Sequence, residues 1–303
     1  MSTTSSILIS GASGFLGQHL VSYLLKNGQT VVAMSRSPCP QLDNLKKKYT
    51  KRLQLCYFDL LTGEGELPEP KNICAMVCCA AIVNSSQNDF HLNVQLARTE
   101  TLIQRQLDIK KFLVISSQNV EFLNRGAYSQ SKTLSELVFK KEVTSSLYII
   151  RPTLIYDDYG NTFIRQLVNI AKIAKIVPQI GIRRAMLQPV HVEDLCEIIY
   201  QTLNGNGAES LTVYGGEAIS LAKLSKIIKE ETKAISVLPI PVSLLKIFNP
   251  AMPSIKEKIY EVYEKKTAPV GHVTALENQF SFKIRKFSGD VPGIISNILL
   301  RRT

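Results

Sequence analysis

The chain has 303 residues, enough for one large domain or two modest ones. Hydrophobic residues make up 45% and charged residues 20%, which is ordinary for a globular enzyme and argues against disorder over most of the chain. Lys and Arg number 36 against 25 Asp and Glu, a formal charge of +11 that favours anionic partners such as nucleotides, phosphorylated sugars or acidic lipid surfaces.

In chain order, Ile7 to Ser10 reads as a strand and Phe15 to Lys26 as a helix, with Leu16, Leu20, Leu24 and Leu25 on one face. Strand-like runs follow at Thr30 to Met34, Leu53 to Phe58, Ala75 to Ala80, Phe112 to Ser116 and Leu147 to Ile150. Helical patterns lie between most of them, notably Phe90 to Leu107 and Tyr128 to Glu142. Strands alternating with helices imply βαβ units. Their near-continuous apolar character implies a sheet covered on both faces. The predicted class is α/β, a doubly wound parallel sheet of Rossmann-like type.

The pattern changes after Arg151. Asn161 to Ile176 reads as a helix, Gln188 to Val192 as a strand, and Glu193 to Leu203 as a helix. Leu211 to Tyr214 is a further strand, ended by Gly215-Gly216. Ser220 can cap a helix running to about Glu231. From Ser236 onward prolines gather and no period is clear. These changes predict a dinucleotide-binding domain over 1–154, rejoined by about 186–214. A small C-terminal substrate-side domain would take 155–185 and 215–303.

The six cysteines show no metal-type spacing, so no metal is expected. Cys74, Cys78 and Cys79 fall in an apolar run and read as reduced core thiols. The polar start MSTTSS has no basic n-region and leads straight into a strand, which predicts a cytoplasmic protein. No run reaches the ~18 apolar residues of a transmembrane segment. The basic residues are scattered, so nucleic acid is not an expected partner.

The first strand runs into Gly11-Ala12-Ser13-Gly14-Phe15-Leu16-Gly17, and a helix follows. Strand, glycine loop and amphipathic helix in that order form a dinucleotide site. The glycines permit a tight turn and let the backbone approach a pyrophosphate. The helix start offers N–H groups and a positive dipole end to the anion. The second strand ends at Ser35-Arg36-Ser37, where this fold meets the adenine ribose. An acid there selects NAD, and an Arg accommodates the 2′-phosphate of NADP. No Asp or Glu lies between Thr30 and Gln41, so Arg36 favours NADP(H) over NAD(H). The bland alternative is a solvated Arg.

These residues resemble the short-chain dehydrogenase/reductase superfamily. The likeness is to its extended and atypical branches, which include NAD(P)-dependent sugar-nucleotide epimerases, dehydratases and reductases. GASGFLG resembles the extended-type GxxGxxG motif. Asp59-Leu60 matches the pair that touches the adenine, and Cys79-Ala80-Ala81 the strand end beside the ribose. His91-Leu92-Asn93-Val94 with Thr99, Ser116-Ser117, Tyr128-Ser129-Gln130-Ser131-Lys132, Arg151-Pro152-Thr153 and the stretch from Gln188 to Asp194 follow in family order. The resemblance implies a cofactor site at Gly11, Ser13, Gly14, Phe15, Leu16, Gly17, Arg36, Asp59, Leu60, Ala80, Ala81, Lys132, Pro152 and Thr153. It implies a catalytic set of Ser117, Tyr128 and Lys132.

The four-residue separation puts Tyr128 and Lys132 on one helical face. A free phenol has a pKa of about 10, and a neighbouring ammonium lowers it. By resemblance, Lys132 also bonds the nicotinamide ribose, and Ser117 holds the substrate oxygen against Tyr128. Two departures narrow the reading. Gln118 and Asn119 replace the acid pair of the sugar-nucleotide dehydratases. Val120-Glu121-Phe122 stands in a short stretch where many epimerases carry a longer loop. The short form resembles the atypical branch that contains an NADPH-binding accessory subunit of respiratory complex I.

Bland readings cover the rest. His19 and His191 read as structural, Asp194 as a capping-type anchor of a helix start, and Lys46-Lys47-Lys48 as a solvated face. Lys283, Arg285, Lys286, Arg301 and Arg302 read either as contacts to a diphosphate or acidic surface, or as a solvated tail. The expectation is an NAD(P)-dependent oxidoreductase acting on a carbonyl or secondary alcohol of a small molecule, a nucleotide-linked sugar being the leading class. The alternatives are a sugar-nucleotide epimerase and a noncatalytic NADPH-binding scaffold. A homodimer is compatible with each.

Overall fold

The computed structural model describes residues 5–69, 73–83, 89, 91–122, 126–159, 162–180, 186–240 and 267–300. Arg301 and Arg302 lie outside the described residues. The chain divides into two units. The first comprises Met1–Val120, Ala127–Arg151 and Cys196–Thr212, and the second Glu121–Gly126, Pro152–Leu195 and Val213–Thr303.

The first unit is built on a sheet of β1 (Ser6–Ser10), β2 (Thr30–Ser35), β3 (Leu53–Tyr57), β4 (Ile73–Cys78), β5 (Lys111–Ile115), β6 (Ser146–Pro152) and β11 (Ser210–Val213). Their order across the sheet is β11-β6-β5-β4-β1-β2-β3. The pairs from β6 through β3 are parallel. Every residue of β1 is buried, as the apolar run predicts for a central strand covered on both faces. The chain crosses from one half of the sheet to the other between β3 and β4, so the strand ends diverge between β1 and β4. This is the Rossmann-like α/β order, with its switch point where such folds bind ligands.

The helices of this unit include α1 (Phe15–Lys26), α2 (Pro40–Lys48), α3 (Leu92–Gln106) and α4 (Ala127–Glu142). Under α3 and α4, Leu8, Met34, Met76, Phe112, Val114 and Phe139 form one buried cluster. Ser135 Oγ on α4 donates to Asn93 O on α3 at 3.1 Å, tying the two helices together.

Some sequence expectations are corrected. Cys74 is exposed, not a core thiol. Ser6 pairs with Ile73 and Ile7 with Ala75, so Cys74 is the extra residue of a bulge. β4 stops at Cys78, two residues short of Ala80, because Cys79–Ile82 leaves the sheet for α3. Lys46 is not simply solvated, since its Nζ bonds Thr50 O at 2.9 Å and also Leu53 O.

In the second unit the run read as one helix to Ile176 is two elements. Helix α5 (Thr162–Ala174) ends, Lys175 takes φ +58°, and strand β8 (Ile176–Ile180) begins. β8 pairs in parallel with β13 (Ser236–Ile240), in the region where no period was legible. Short strands β7 (Ile155–Tyr156) and β10 (Val190–His191) pair in parallel, and β9 (Met186–Leu187) pairs with β12 (Ile219–Ser220) antiparallel. Helix α6 (Val192–Gln201) follows β10, and Ser220 caps α7 (Leu221–Thr232), accepting from Lys223 N at 3.1 Å. Two further helices are α8 (His272–Phe280) and α9 (Phe287–Leu300). Phe287, Val291, Ile294, Ile295 and Ile298 of α9 pack with Ile164 and Val168 of α5 and Leu224 and Ile228 of α7.

Asp194 does not cap α6. Its Oδ2 accepts from Arg285 N at 2.8 Å, and the imidazole of His191 accepts from Glu193 N at 3.2 Å. Arg285 is correspondingly no solvated tail, because its Nη2 donates to Glu193 Oε2 at 2.6 Å. Lys283 pairs with Glu277 at 2.6 Å. Among the described residues, no helix is long and apolar enough to cross a membrane.

Candidate functional site

The loop after β1 turns at Gly11, whose φ is +61°. A Cβ there would also lie 2.6 Å from Ala80 N, in the loop after β4. Only glycine satisfies both conditions. Gly14 N donates to Gly11 O at 2.9 Å and Ala12 N to Met34 O at 3.0 Å, closing the turn against β2. Gly17 has a different task. Its Cβ would sit 2.2 Å from Gly11 O and 2.8 Å from Ala12 Cα, so it lets α1 lie on the loop. At Gly14 a Cβ would meet Gly11 O alone, at 3.1 Å, so that residue leaves its side towards the cleft clear. Gly14 is the N-cap of α1 and offers no side-chain cap, and no acid stands in the first turn. The helix start therefore presents N–H groups and an uncompensated positive end.

A cleft opens at this switch point. Gly11, Ser13 and Gly14 meet Ser35 and Arg36 from the end of β2, Phe58–Leu61 after β3, and Cys79–Ile82 after β4 there. Arg36 is exposed at its edge. Asp59 Oδ1 accepts from Leu61 N at 2.8 Å and its N–H donates to Glu64 O at 2.8 Å, which fixes the loop after β3. The loop after β4 is held from α3. Asn93 Oδ1 accepts from Ile82 N at 2.8 Å, and its Nδ2 donates to Ile82 O and to Ser131 Oγ, both at 3.1 Å. Eight predicted cofactor residues thus line one cleft: Gly11, Ser13, Gly14, Arg36, Asp59, Leu60, Ala80 and Ala81. Phe15, Leu16 and Gly17 form the helix start beside it. A clear glycine floor, N–H groups at a helix start and an exposed guanidinium are a donor set that fits a dinucleotide phosphate.

Pro152 and Thr153 fall in the second unit, where Thr153 Oγ1 donates to Gln188 O at 2.7 Å and Thr153 N to Val213 O at 3.0 Å. Ser117 follows β5, and its Oγ accepts from Asn119 N at 3.2 Å, which starts a short 3₁₀ turn. Ser116, the preceding hydroxyl, is committed elsewhere and donates to Glu136 Oε1 at 2.6 Å. Tyr128 stands half-buried in the first turn of α4, where Ser131 Oγ donates to its carbonyl at 2.7 Å. Lys132, one turn on, is 6% exposed, and its Nζ donates to Ile115 O at 2.9 Å.

Sequence reasoning missed Glu100. It lies on α3 at 2% exposure and accepts a hydrogen bond from Ser10 Oγ. Burial pushes its carboxyl up to about 7, against the opposing pulls of Ser10 and the Lys132 charge. Burial likewise draws the Lys132 ammonium down, and the Glu100 carboxylate is the foremost influence holding it up. A signal was available. Glu100 falls on the helix face set by Leu96, Ala97 and Ile103, where an apolar residue would be regular.

The model of the NAD dependent epimerase/dehydratase family matches residues 7–213. The chain is 22% identical over 231 residues to the mitochondrial NADH-ubiquinone oxidoreductase 40 kDa subunit of Neurospora crassa, covering 73% of this chain and 58% of that one. It spans less than two thirds of the length of the curated relatives it matches. Among solved structures, the NAD-dependent NDP-hexosamine 5,6-dehydratase TunA superposes with a TM-score of 0.74 at 16% identity, over 98% of both chains. The UDP-glucuronic acid 4-epimerase of Bacillus cereus, in complex with UDP-glucuronic acid and NAD, gives 0.73 at 16% identity, over 97% of this chain and 99% of that one. These structures share the fold, and the extent of the family match, together with the glycine loop it contains, carries the assignment: the chain belongs to the NAD dependent epimerase/dehydratase family.

Proposed function

We propose that this chain binds NADP(H) in preference to NAD(H) and is an oxidoreductase of a carbonyl or secondary alcohol on a nucleotide-linked sugar. The observation that supports it most is the cleft itself, a clear glycine floor under a helix start with Arg36 at its edge. In this reading Gly11 to Gly17 hold the pyrophosphate and Asp59 and Leu60 border the adenine. Ala80 and Ala81 border the ribose, and Arg36 pairs with the 2′-phosphate. Pro152 and Thr153 are cofactor residues by the family resemblance. The bound dinucleotide supplies or accepts the hydride. Ser117 holds the substrate oxygen, Tyr128 gives or takes its proton, and Lys132 favours the phenolate. The structural neighbours' nucleotide-sugar ligands support the substrate class, and an epimerase that keeps its cofactor bound is the nearest variant.

A second reading, a dinucleotide held as a structural ligand of an assembly, has its support in the match to the Neurospora crassa subunit. One experiment separates them. Titrate NADPH and NADH, then follow NADPH consumption and sugar interconversion over a panel of keto and hydroxy nucleotide sugars. Turnover beyond the protein concentration is the expected result. Interconversion with no net consumption gives the epimerase, binding without turnover gives the structural ligand, and binding of neither nucleotide sinks all three.

A further inference from the structure

Two ionisable side chains are buried together beneath the strand ends of the first unit. Glu100 is reached by Ser10 Oγ from β1 and by the Cys78 thiol at the end of β4. Lys132 from α4 donates to Ile115 O at the end of β5. None of these direct partners carries a charge. Cys78 remains a thiol, because burial first and the Glu100 charge second push it well above its usual range. The other carboxylate acting on Lys132 is Glu136, and it is committed to Arg151, at 2.6 and 2.8 Å, and to Ser116. Asn93, Glu100, Lys132 and Ser135 border a common void of about 10 Å³. That is roughly the volume needed by one ordered water with polar partners.

Burying either charge alone is costly, and each would neutralise without the other. As a stability device the pair is poor, since an apolar pair of similar size would pack there with no desolvation cost. Its location points to another role, because Lys132 is the lysine of the YxxxK element. We propose that Glu100 is a positioning residue that holds Lys132 as an ammonium beneath the cofactor cleft, acting across the shared void. The influence on Tyr128 and on a bound ribose rests on the proposed function above, but the pairing itself does not.

The sign follows from the charges. With Glu100 ionised, Lys132 stays charged and supports a Tyr128 phenolate. With Glu100 protonated, the buried ammonium loses its counter-charge and that support weakens. The test is a titration of the full chain. Infrared spectroscopy should show a buried carboxylic acid that persists to about neutral pH and is absent in Glu100→Gln. In Lys132→Met it should persist at least one pH unit higher, a tenfold gain in proton affinity. In Glu100→Gln, the Lys132 side-chain NMR signals should report deprotonation at least one unit lower than in the wild type. An acid band unmoved by Lys132→Met overturns the proposal, and so does a lysine titration unmoved by Glu100→Gln. NADPH affinity is read separately. Shifted titrations with unchanged affinity would uphold the pair and remove the Lys132–ribose contact from the proposed function.

Discussion

Asn93 grips Ile82 by both of its backbone groups, accepting from the N–H at 2.8 Å and donating to the carbonyl at 3.1 Å. One side chain on α3 thereby fixes the loop that walls the cleft beyond β4. Asn93→Leu removes both bonds and the one to Ser131, and leaves partly buried backbone groups unsatisfied. The loss should be about 2–4 kcal/mol of stability, at roughly 1 kcal/mol per bond and more for an orphaned group. Urea titration measures it. NADPH affinity should fall as well, because residues 80–82 would no longer be held in place.

Gly14 and Gly17 should behave differently although they stand three residues apart. Gly14→Val meets a single backbone atom at 3.1 Å, so the sheet should form and dinucleotide binding should vanish. Gly17→Val drives a side chain into the Gly11 carbonyl and should destabilise the fold by about 1–3 kcal/mol or more. Circular dichroism with calorimetry distinguishes the pair. Normal NADPH binding by folded Gly14→Val would show that the loop does not cradle a phosphate.

Arg36→Ala should weaken NADPH much more than NADH. A charge-assisted hydrogen bond contributes about 1.5–3 kcal/mol, which is roughly tenfold or more in affinity. Equal losses for both nucleotides would mean that Arg36 is a solvated side chain.

Tyr128→Phe keeps the ring and removes the hydroxyl. Turnover should fall by roughly 10²-fold or more while NADPH affinity stays unchanged. Lys132→Met should lower turnover and affinity together. A Tyr128→Phe protein with undiminished kcat would leave the tyrosine without a catalytic role.

Arg151 and Glu136 form a largely buried pair whose breakage should depend on pH. Burial pushes Glu136 up, but the hydrogen bonds of Arg151 and Ser116 and the Arg151 charge outweigh it and hold the carboxyl below its ordinary value. A depressed carboxylate contributes stability above its unfolded pKa, about 4.3, and loses it as pH falls through the lower folded value. Arg151→Met should therefore cost about 3–5 kcal/mol at neutral pH. That gap to the wild type should narrow below about pH 4. Parallel urea melts at the two pH values check it.

The glycine loop, the alternation of strands with helices and the YxxxK spacing were legible because each is local. A strand, a tight turn and a helix face are written within some twenty residues, and their periods differ. Family resemblance extended that reading to the loops after β3 and β4. With that resemblance, the sequence determined the α/β class and eight of the residues that line the cleft. It did not determine the C-terminal elements. Gly289, Pro292 and Gly293 interrupt the apolar period of α9, which is helical because Phe287, Val291 and Ile294 find a core between α5 and α7. Strands β8 and β13 lie some sixty residues apart and, among the described residues, pair with each other. The sequence marks Glu100 only as an acid on an apolar helix face. Only the tertiary structure, which buries it behind β1 and β4 beside Lys132, turns it into a charge that needs a counter-charge, because desolvation is a property of the surroundings and not of the residue.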